Sequence, residues 1–301
     1  MDVYLPIANM SVNGLWIVAL GGLTGILSGL FGVGGGFLTT PLLIFVGVPP
    51  TVAAASASTQ VTGASVTGVI AHNARGGVDY RMGAVMIAGG VIGSGIGSLL
   101  FRFFRSIGQI DVVISMLYVV LLGSIGMLMA KESIELLRGG GSKQVARRRH
   151  HPLVASLPMR WRFYKSGLYI SPLAPLLVGV VVGILTMLMG VGGGFILVPA
   201  MLYILGMSAN VVVGTSLFNI LFVTMATTMM HSLTTKAVDI VLVFLLLVGS
   251  VTGAQIGSQI AVKAKPEMLR LILAAIVLVI AFRMFLGLFY RPDEIYTLSP
   301  L

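Results

Sequence analysis

The chain has 301 residues, a mean hydropathy of +1.04 and only 9% charged side chains. A soluble domain carries about 25% charged residues, so a chain this apolar cannot cover a water-facing surface. The formal charge of +10 is no nucleic-acid signal, because most of the excess sits in one stretch, 131–165, and the absence of cysteine excludes a disulfide, a thiolate metal site or a thiol relay.

Between Asp2 and Arg75 no residue carries a fixed charge. About 20 apolar residues span a bilayer, so this tract holds more than one pass. Spanning segments are helices or barrel strands, since lipid offers the backbone no hydrogen-bond partner. Barrel strands alternate polar and apolar residues; these segments are apolar on every face, which predicts helices. In chain order they are expected over 12–31, 36–48, 51–72, 82–101 and 111–130. The segment 131–170 follows, basic and irregular, with Gly139-Gly140-Gly141-Ser142, Arg147-Arg148-Arg149-His150-His151 and scattered prolines. Positive loops stay in the cytoplasm, with anionic lipid as a secondary contact. A second tract free of fixed charge runs from Ser166 to Thr235, and further helices are expected over 173–189, 194–206, 210–231, 240–261 and 268–290. The amino terminus lacks a basic segment, so no cleaved leader is expected.

The two sets of five are copies of one unit. Residues 25–41 read GILSGLFGVGGGFLTTP and residues 183–199 read GILTMLMGVGGGFILVP. Downstream, Ser56 faces Thr215, Gln60 faces Asn219, His72 faces His231 and Asp79 faces Asp239. Gly89-x3-Gly93-x3-Gly97 then faces Gly249-x3-Gly253-x3-Gly257. The expected fold is therefore an all-α polytopic membrane protein of two repeats, 1–130 and 171–301, joined by a cytoplasmic linker, 131–170. The segments 36–48 and 194–206 are short for a core of about 30 Å; each is a half-helix that turns back or a short pass. We expect five passes per repeat in inverted orientation, which puts 14 Lys/Arg on the inside and 5 outside.

Candidate site residues cluster on the repeat. Successive glycines break a helix and let backbone N–H groups face a ligand. That makes Gly34, Gly35 and Gly36, with Gly192, Gly193 and Gly194, binding candidates; the other reading is a tight turn between packed helices. The third helix of each repeat carries Ser56, Thr59 and Gln60 in one copy and Thr215, Ser216 and Asn219 in the other. Intramembrane amides are costly without partners. Gln60 and Asn219 can donate to oxyanion oxygens, or can hydrogen-bond between helices. If the two repeats are related by a pseudo-twofold axis, these amides face the same space. His72 and His231 are candidates for proton coupling or for an interfacial place near the headgroups. Asp79 and Asp239 precede helices and read as N-caps. The Gly-x3-Gly runs read as packing faces. No residue set has metal spacing, no cofactor is expected, and no Ser/His/Asp arrangement suggests an enzyme.

The doubled GxGGGF…P, followed by Ser/Thr-rich helices and Gly-x3-Gly, resembles the TauE/SafE sulfite exporter family over about 12–130 and 173–290. The resemblance implies secondary transport, usually export, of small sulfur anions such as sulfite or organosulfonates across a bacterial inner membrane. A transporter or channel for another small anion, such as a carboxylate, and a non-catalytic membrane assembly subunit are the alternatives. The partners expected are the small anion and membrane lipid, with self-association into a homo-oligomer left open and nucleic acid excluded.

Overall fold

The structure, a computed structural model, describes residues 2–31, 35–74, 76–137, 161–263 and 266–289. These residues form ten helices and two short β-hairpins. The first half holds β1 (Asp2–Leu5), β2 (Met10–Asn13), α1 (Gly14–Phe31), α2 (Gly36–Phe45), α3 (Pro50–Ala74), α4 (Tyr80–Ser106) and α5 (Ile110–Leu137). The second holds β3 (Trp161–Phe163), β4 (Leu168–Ile170), α6 (Leu173–Met189), α7 (Gly194–Pro199), α8 (Ala209–Met230), α9 (Ile240–Lys263) and α10 (Pro266–Phe289). Helix α7 continues as a wider π-helical turn through Ile204, and α8 as another over His231–Thr235. Pro199 ends α7, where a ring without an N–H disturbs the regular ladder.

Five stretches are long and apolar enough to cross a membrane: Tyr80–Ser106, Ile110–Lys131, Val211–Thr235, Ile240–Gly257 and Leu271–Phe289. Large apolar side chains such as Leu99, Val120, Phe244 and Val279 are exposed on their outer faces, as lipid contact requires. The chain is a multi-pass membrane protein. Helix α3 has 25 residues but is not apolar enough to join them. It lies inside, with Ala53, Ala54, Ala55, Ser56, Ser58 and Val61 fully buried. Small residues there let other backbones approach closely.

The major helix pairs join one half to the other: α1 with α9, α4 with α6, α3 with α8 and α5 with α10. Gly89, Gly93 and Gly97 meet Leu176, Val180 and Ile184 in turn, so α4 and α6 run in the same direction. Gly249, Gly253 and Gly257 meet Val18, Gly22 and Ile26 in the same way on α1. The packing role expected for these glycines is what the geometry shows: a methyl group on Gly93 would fall 2.1 Å from the Val180 carbonyl oxygen. The other two pairs are antiparallel. Thr59 meets Thr228 and Thr62 meets Thr224 across α3 and α8, and Gly126 of α5 packs on Val277 and Leu278 of α10.

Helix α2 turns back toward the face where α1 begins. Leu43 and Val48 join Leu5, Val12 and Ile17 in one cluster beneath the first hairpin, and Leu205 and Met207 join Phe163, Leu168 and Ala174 beneath the second. Of the two readings of the short segments, returning half-helices is the one observed. Each half has its five helices, but α1–α2 and α6–α7 enter and leave by one face, which leaves α3, α4 and α5 and α8, α9 and α10 to run from one face to the other. Ile7, Arg105, Thr235 and Lys236 line one recess at the first face, while Asp79, Ser166 and Thr215 meet at the second.

Two further differences concern the segment 131–170. Residues 131–137 extend α5, because no helix breaker precedes Gly139. Trp161–Ile170 is a hairpin whose turn uses a positive φ at Gly167. Strands of three or four residues are too short to leave an alternating pattern. Gly139–Ser142 and Arg147–His151 lie outside the described residues.

Candidate functional site

The two broken helices meet beside the middle of α3. Phe37 and Phe195, which open α2 and α7, stack with centroids 4.4 Å apart and planes 5° from parallel. A methyl group on Gly36 would lie 2.9 Å from the Val191 carbonyl oxygen, and Val61 of α3 touches both Gly36 and Gly192. Gly193 has φ +74°, and a methyl group there would fall 2.2 Å from Val182 Cγ1, so no other residue fits this turn. Gly35 and Gly194 cap and start their helices beside it, whereas Gly34 lies outside the described residues.

A helix that stops inside a membrane leaves carbonyls that neighbours must satisfy. Met189 O accepts the Tyr118 hydroxyl at 2.6 Å and the Thr40 hydroxyl at 3.2 Å. Met187 O lies 3.0 Å from His231 Nε2. A carbonyl only accepts, so Nε2 carries the proton; Nδ1 lies 3.2 Å from Thr235 Oγ1. His231 is fully buried, which replaces the expected headgroup position with the task of closing the end of α6. His72 is half-buried at the far end of α3 with Gly214 against its Cβ, so the two histidines occupy different environments.

The aspartates form a reciprocal pair of clasps. Asp79 Oδ1 accepts the N–H groups of Arg81 and Met82, capping α4. Its Oδ2 accepts both the N–H and the hydroxyl of Ser166 in the second hairpin. Asp239 caps α9 through Val241 and Leu242, and its Oδ2 accepts the Ile7 N–H of the first hairpin. The Asp79 N–H donates to Thr215 Oγ1, and the Asp239 N–H to Ser56 Oγ. Each aspartate thus holds the hairpin of the other half, and the hydroxyls of Ser56 and Thr215 support the aspartates. N-cap is the reading the geometry bears out. The hairpin contacts could not be foreseen, because they join residues 87 and 232 positions apart.

Hydroxyls run along α8 where it meets α3 and α4. Thr59 donates to Thr228 at 3.3 Å, Thr62 to Thr224 at 2.8 Å, and Ser94 lies 3.2 Å from Thr227. Thr62 belongs to the polar set of the third helix already apparent in the sequence, whereas Thr224, Thr227 and Ser94 were not singled out; their signal is hydroxyls recurring at helical spacing within apolar helices. The Ser216 hydroxyl turns back to Val213 O on its own helix.

The amides stand apart from this network. Gln60 is 2% exposed and Asn219 0%. Among the described residues Gln60 Oε1 and both Asn219 Oδ1 and Nδ2 have no hydrogen-bond partner. Their placement follows from the antiparallel register. Asn219 stands level with about Val66 and Thr67, roughly 10 Å along the axis from Gln60. Gln60 lies between Ser56 and Gly63, which meet Asp239 and Leu247, on the face toward α9. Asn219 lies between Thr215 and Val223, which meet Asp79 and Gly90, on the face toward α4. The register therefore sets the amides about 10 Å apart along the helix axis, on faces turned toward different helices. At the first face a recess of about 590 Å³ lined by Ile7, Thr51, Arg105 and Lys236 gives a positively charged mouth.

A family model described as "Sulfite exporter TauE/SafE" matches residues 17–284. The chain is 27% identical over 273 residues to the probable membrane transporter protein YjnA of Bacillus subtilis, covering 90% of this chain and 98% of that protein. It is 28% identical over 277 residues to a probable membrane transporter protein of Xylella fastidiosa, covering 90% and 95%. A probable membrane transporter protein of Methanocaldococcus jannaschii is 23% identical over 284 residues, covering 90% and 94%. No solved structure matches the chain.

Proposed function

The chain belongs to the sulfite exporter TauE/SafE family, and from that premise we propose that it is a secondary transporter exporting small sulfur-containing anions, such as sulfite or organosulfonates, across a bacterial inner membrane. The observation that carries the reading is the pair of buried amides with unpartnered polar atoms, Gln60 and Asn219, deep within helices beside two meeting helix breaks. Leaving such an atom unpaired costs about 1–3 kcal/mol. A small polar ligand that passes between them relieves that cost at each amide in turn. The glycine loops supply N–H groups where α2 and α7 restart, and the hydroxyls of Thr59 and Thr224 line the seam between. No fixed charge is needed to hold the anion, so release stays easy. The reading also takes the halves as inverted repeats that rock against each other to expose the pathway to either face. The second face, which holds 14 of the 19 Lys/Arg by chain order, is then cytoplasmic.

The test is uptake into proteoliposomes across a panel of sulfite, sulfonates and carboxylates. Saturable uptake of the sulfur anions, with counterflow of labelled substrate, is the expected result. Gln60→Leu and Asn219→Leu should each weaken apparent affinity roughly tenfold or more. Carboxylate uptake alone would replace the substrate assignment, and unchanged amide variants would move the site elsewhere.

A further inference from the structure

Asn219 constrains the chemical form in which the substrate travels. Its side chain is fully buried, and both ends of the amide lack a partner among the described residues. Oxygen and nitrogen of an amide are assigned from their partners, but here the assignment is immaterial, since both ends are bare. One end offers donors and the other only accepts. A bare oxyanion also only accepts, so it can pair with the NH2 group but sets its lone pairs against the amide oxygen. Gln60 repeats the demand with its unpartnered Oε1 about 10 Å along the axis. A ligand that satisfies these sites must bring a hydrogen-bond donor as well as an acceptor.

The titratable groups on the helices around the amides are committed elsewhere. On α4 and α9, Asp79 and Asp239 accept hydrogen bonds at both oxygens from caps and hairpins. On α8, both nitrogens of His231 have contacts, and on α5 the Tyr118 hydroxyl donates to Met189 O. Asp111 of α5 meets the backbone of Thr51 at the first face. His72 sits at the end of α3, Arg81, Arg102 and Arg105 near the ends of α4, and Lys131 at the far end of α5. The described parts of α1, α2, α6 and α7 contain no Asp, Glu, His, Lys or Arg.

We propose that the carried species is an oxyanion bearing its own donor, either a protonated oxyanion such as hydrogensulfite or a sulfonate with a hydroxyl or ammonium group, and that any proton crossing the membrane rides on it. This rests on the transport reading above. An oxyanion takes its proton from water on one side, crosses with the O–H intact and returns the proton to water on the other. The protein contributes an unchanging pair of amide donors and acceptors, and no side chain changes its protonation.

The experiment compares two sulfonates of the same size in proteoliposomes of the full chain: isethionate, which carries a terminal hydroxyl, and propanesulfonate, which has a methyl group in its place. Sulfite uptake is measured alongside at fixed total concentration from mildly acidic to mildly alkaline pH. Isethionate should be carried at least about tenfold faster, since a site built to hydrogen-bond a hydroxyl rejects the analogue without it. Sulfite uptake should fall as pH rises and hydrogensulfite gives way to the dianion. Asn219→Leu should erase the preference for isethionate. Equal uptake of the two sulfonates, or sulfite uptake that is flat or rises with pH, overturns the donor requirement while leaving anion transport standing. Uptake of no oxyanion at all overturns both.

Discussion

At the scale of single residues, burial without partners separates binding groups from structural ones. Gln60 and Asn219 are buried at a cost, with Gln60 Oε1 and both ends of the Asn219 amide making no hydrogen bond among the described residues. Replacing such a group by an apolar one of similar size is neutral or stabilising. Asn219→Leu should therefore melt at or above the wild-type temperature in detergent while its transport falls; a lower melting temperature would make the amide structural. His231 predicts the opposite pairing. Its ring closes the end of α6 through Met187 O, and an unpaired buried carbonyl costs about 1–3 kcal/mol. His231→Leu should lower the melting temperature, whereas His231→Gln, which keeps a donor, should retain most of it. The pH profile of transport in His231→Gln should match the wild type; a displaced profile would make His231 a proton carrier.

At the scale of elements, the glycine faces and the clasps make separate predictions. A methyl group on Gly253 would sit 2.2 Å from the Gly22 carbonyl oxygen. Backbone on both sides leaves nothing to move aside, so Gly253→Leu and Gly93→Leu should abolish folded yield on size exclusion. Asp239→Ala should speed hydrogen exchange in β1–β2 roughly fivefold or more, as loss of a cap contact of about 1 kcal/mol implies, and leave β3–β4 protected; Asp79→Ala should do the reverse. Helices, glycine faces and caps were legible because each is written in local spacing: Gly-x3-Gly, Asp before an apolar run, three successive glycines at a break. The hairpins were not, since their strands are short and their fastening to Asp79 and Asp239 is remote in sequence. The amides were legible as unusual residue types in an apolar helix. Their separation along the axis was not, because it depends on the register of α3 against α8, which the threonine pairs set.

At the scale of the whole molecule, the course of the chain puts β1–β2 and β3–β4 on opposite faces. The native chain has no cysteine, so single probes are clean. Tyr4→Cys and Tyr169→Cys, both at exposed positions, should label oppositely: the first with an impermeant thiol reagent on intact spheroplasts, the second only after permeabilisation. The same side for both would refute the inverted arrangement.

The interlocking of the halves has a consequence for how the protein is made. Helices α1, α3, α4 and α5 find their main partners in α9, α8, α6 and α10, none of which has been synthesised when α5 enters the bilayer. At about 5–20 residues per second the missing partners arrive over a period on the order of ten seconds. During that wait the glycine faces of α1 and α4 meet only lipid, and Asp79 lacks the Ser166 that completes its clasp. The ribosome thus leaves behind a half-built intermediate that the insertion machinery has to shelter, and a chain halted after residue 137 should be degraded rather than accumulate as a stable half.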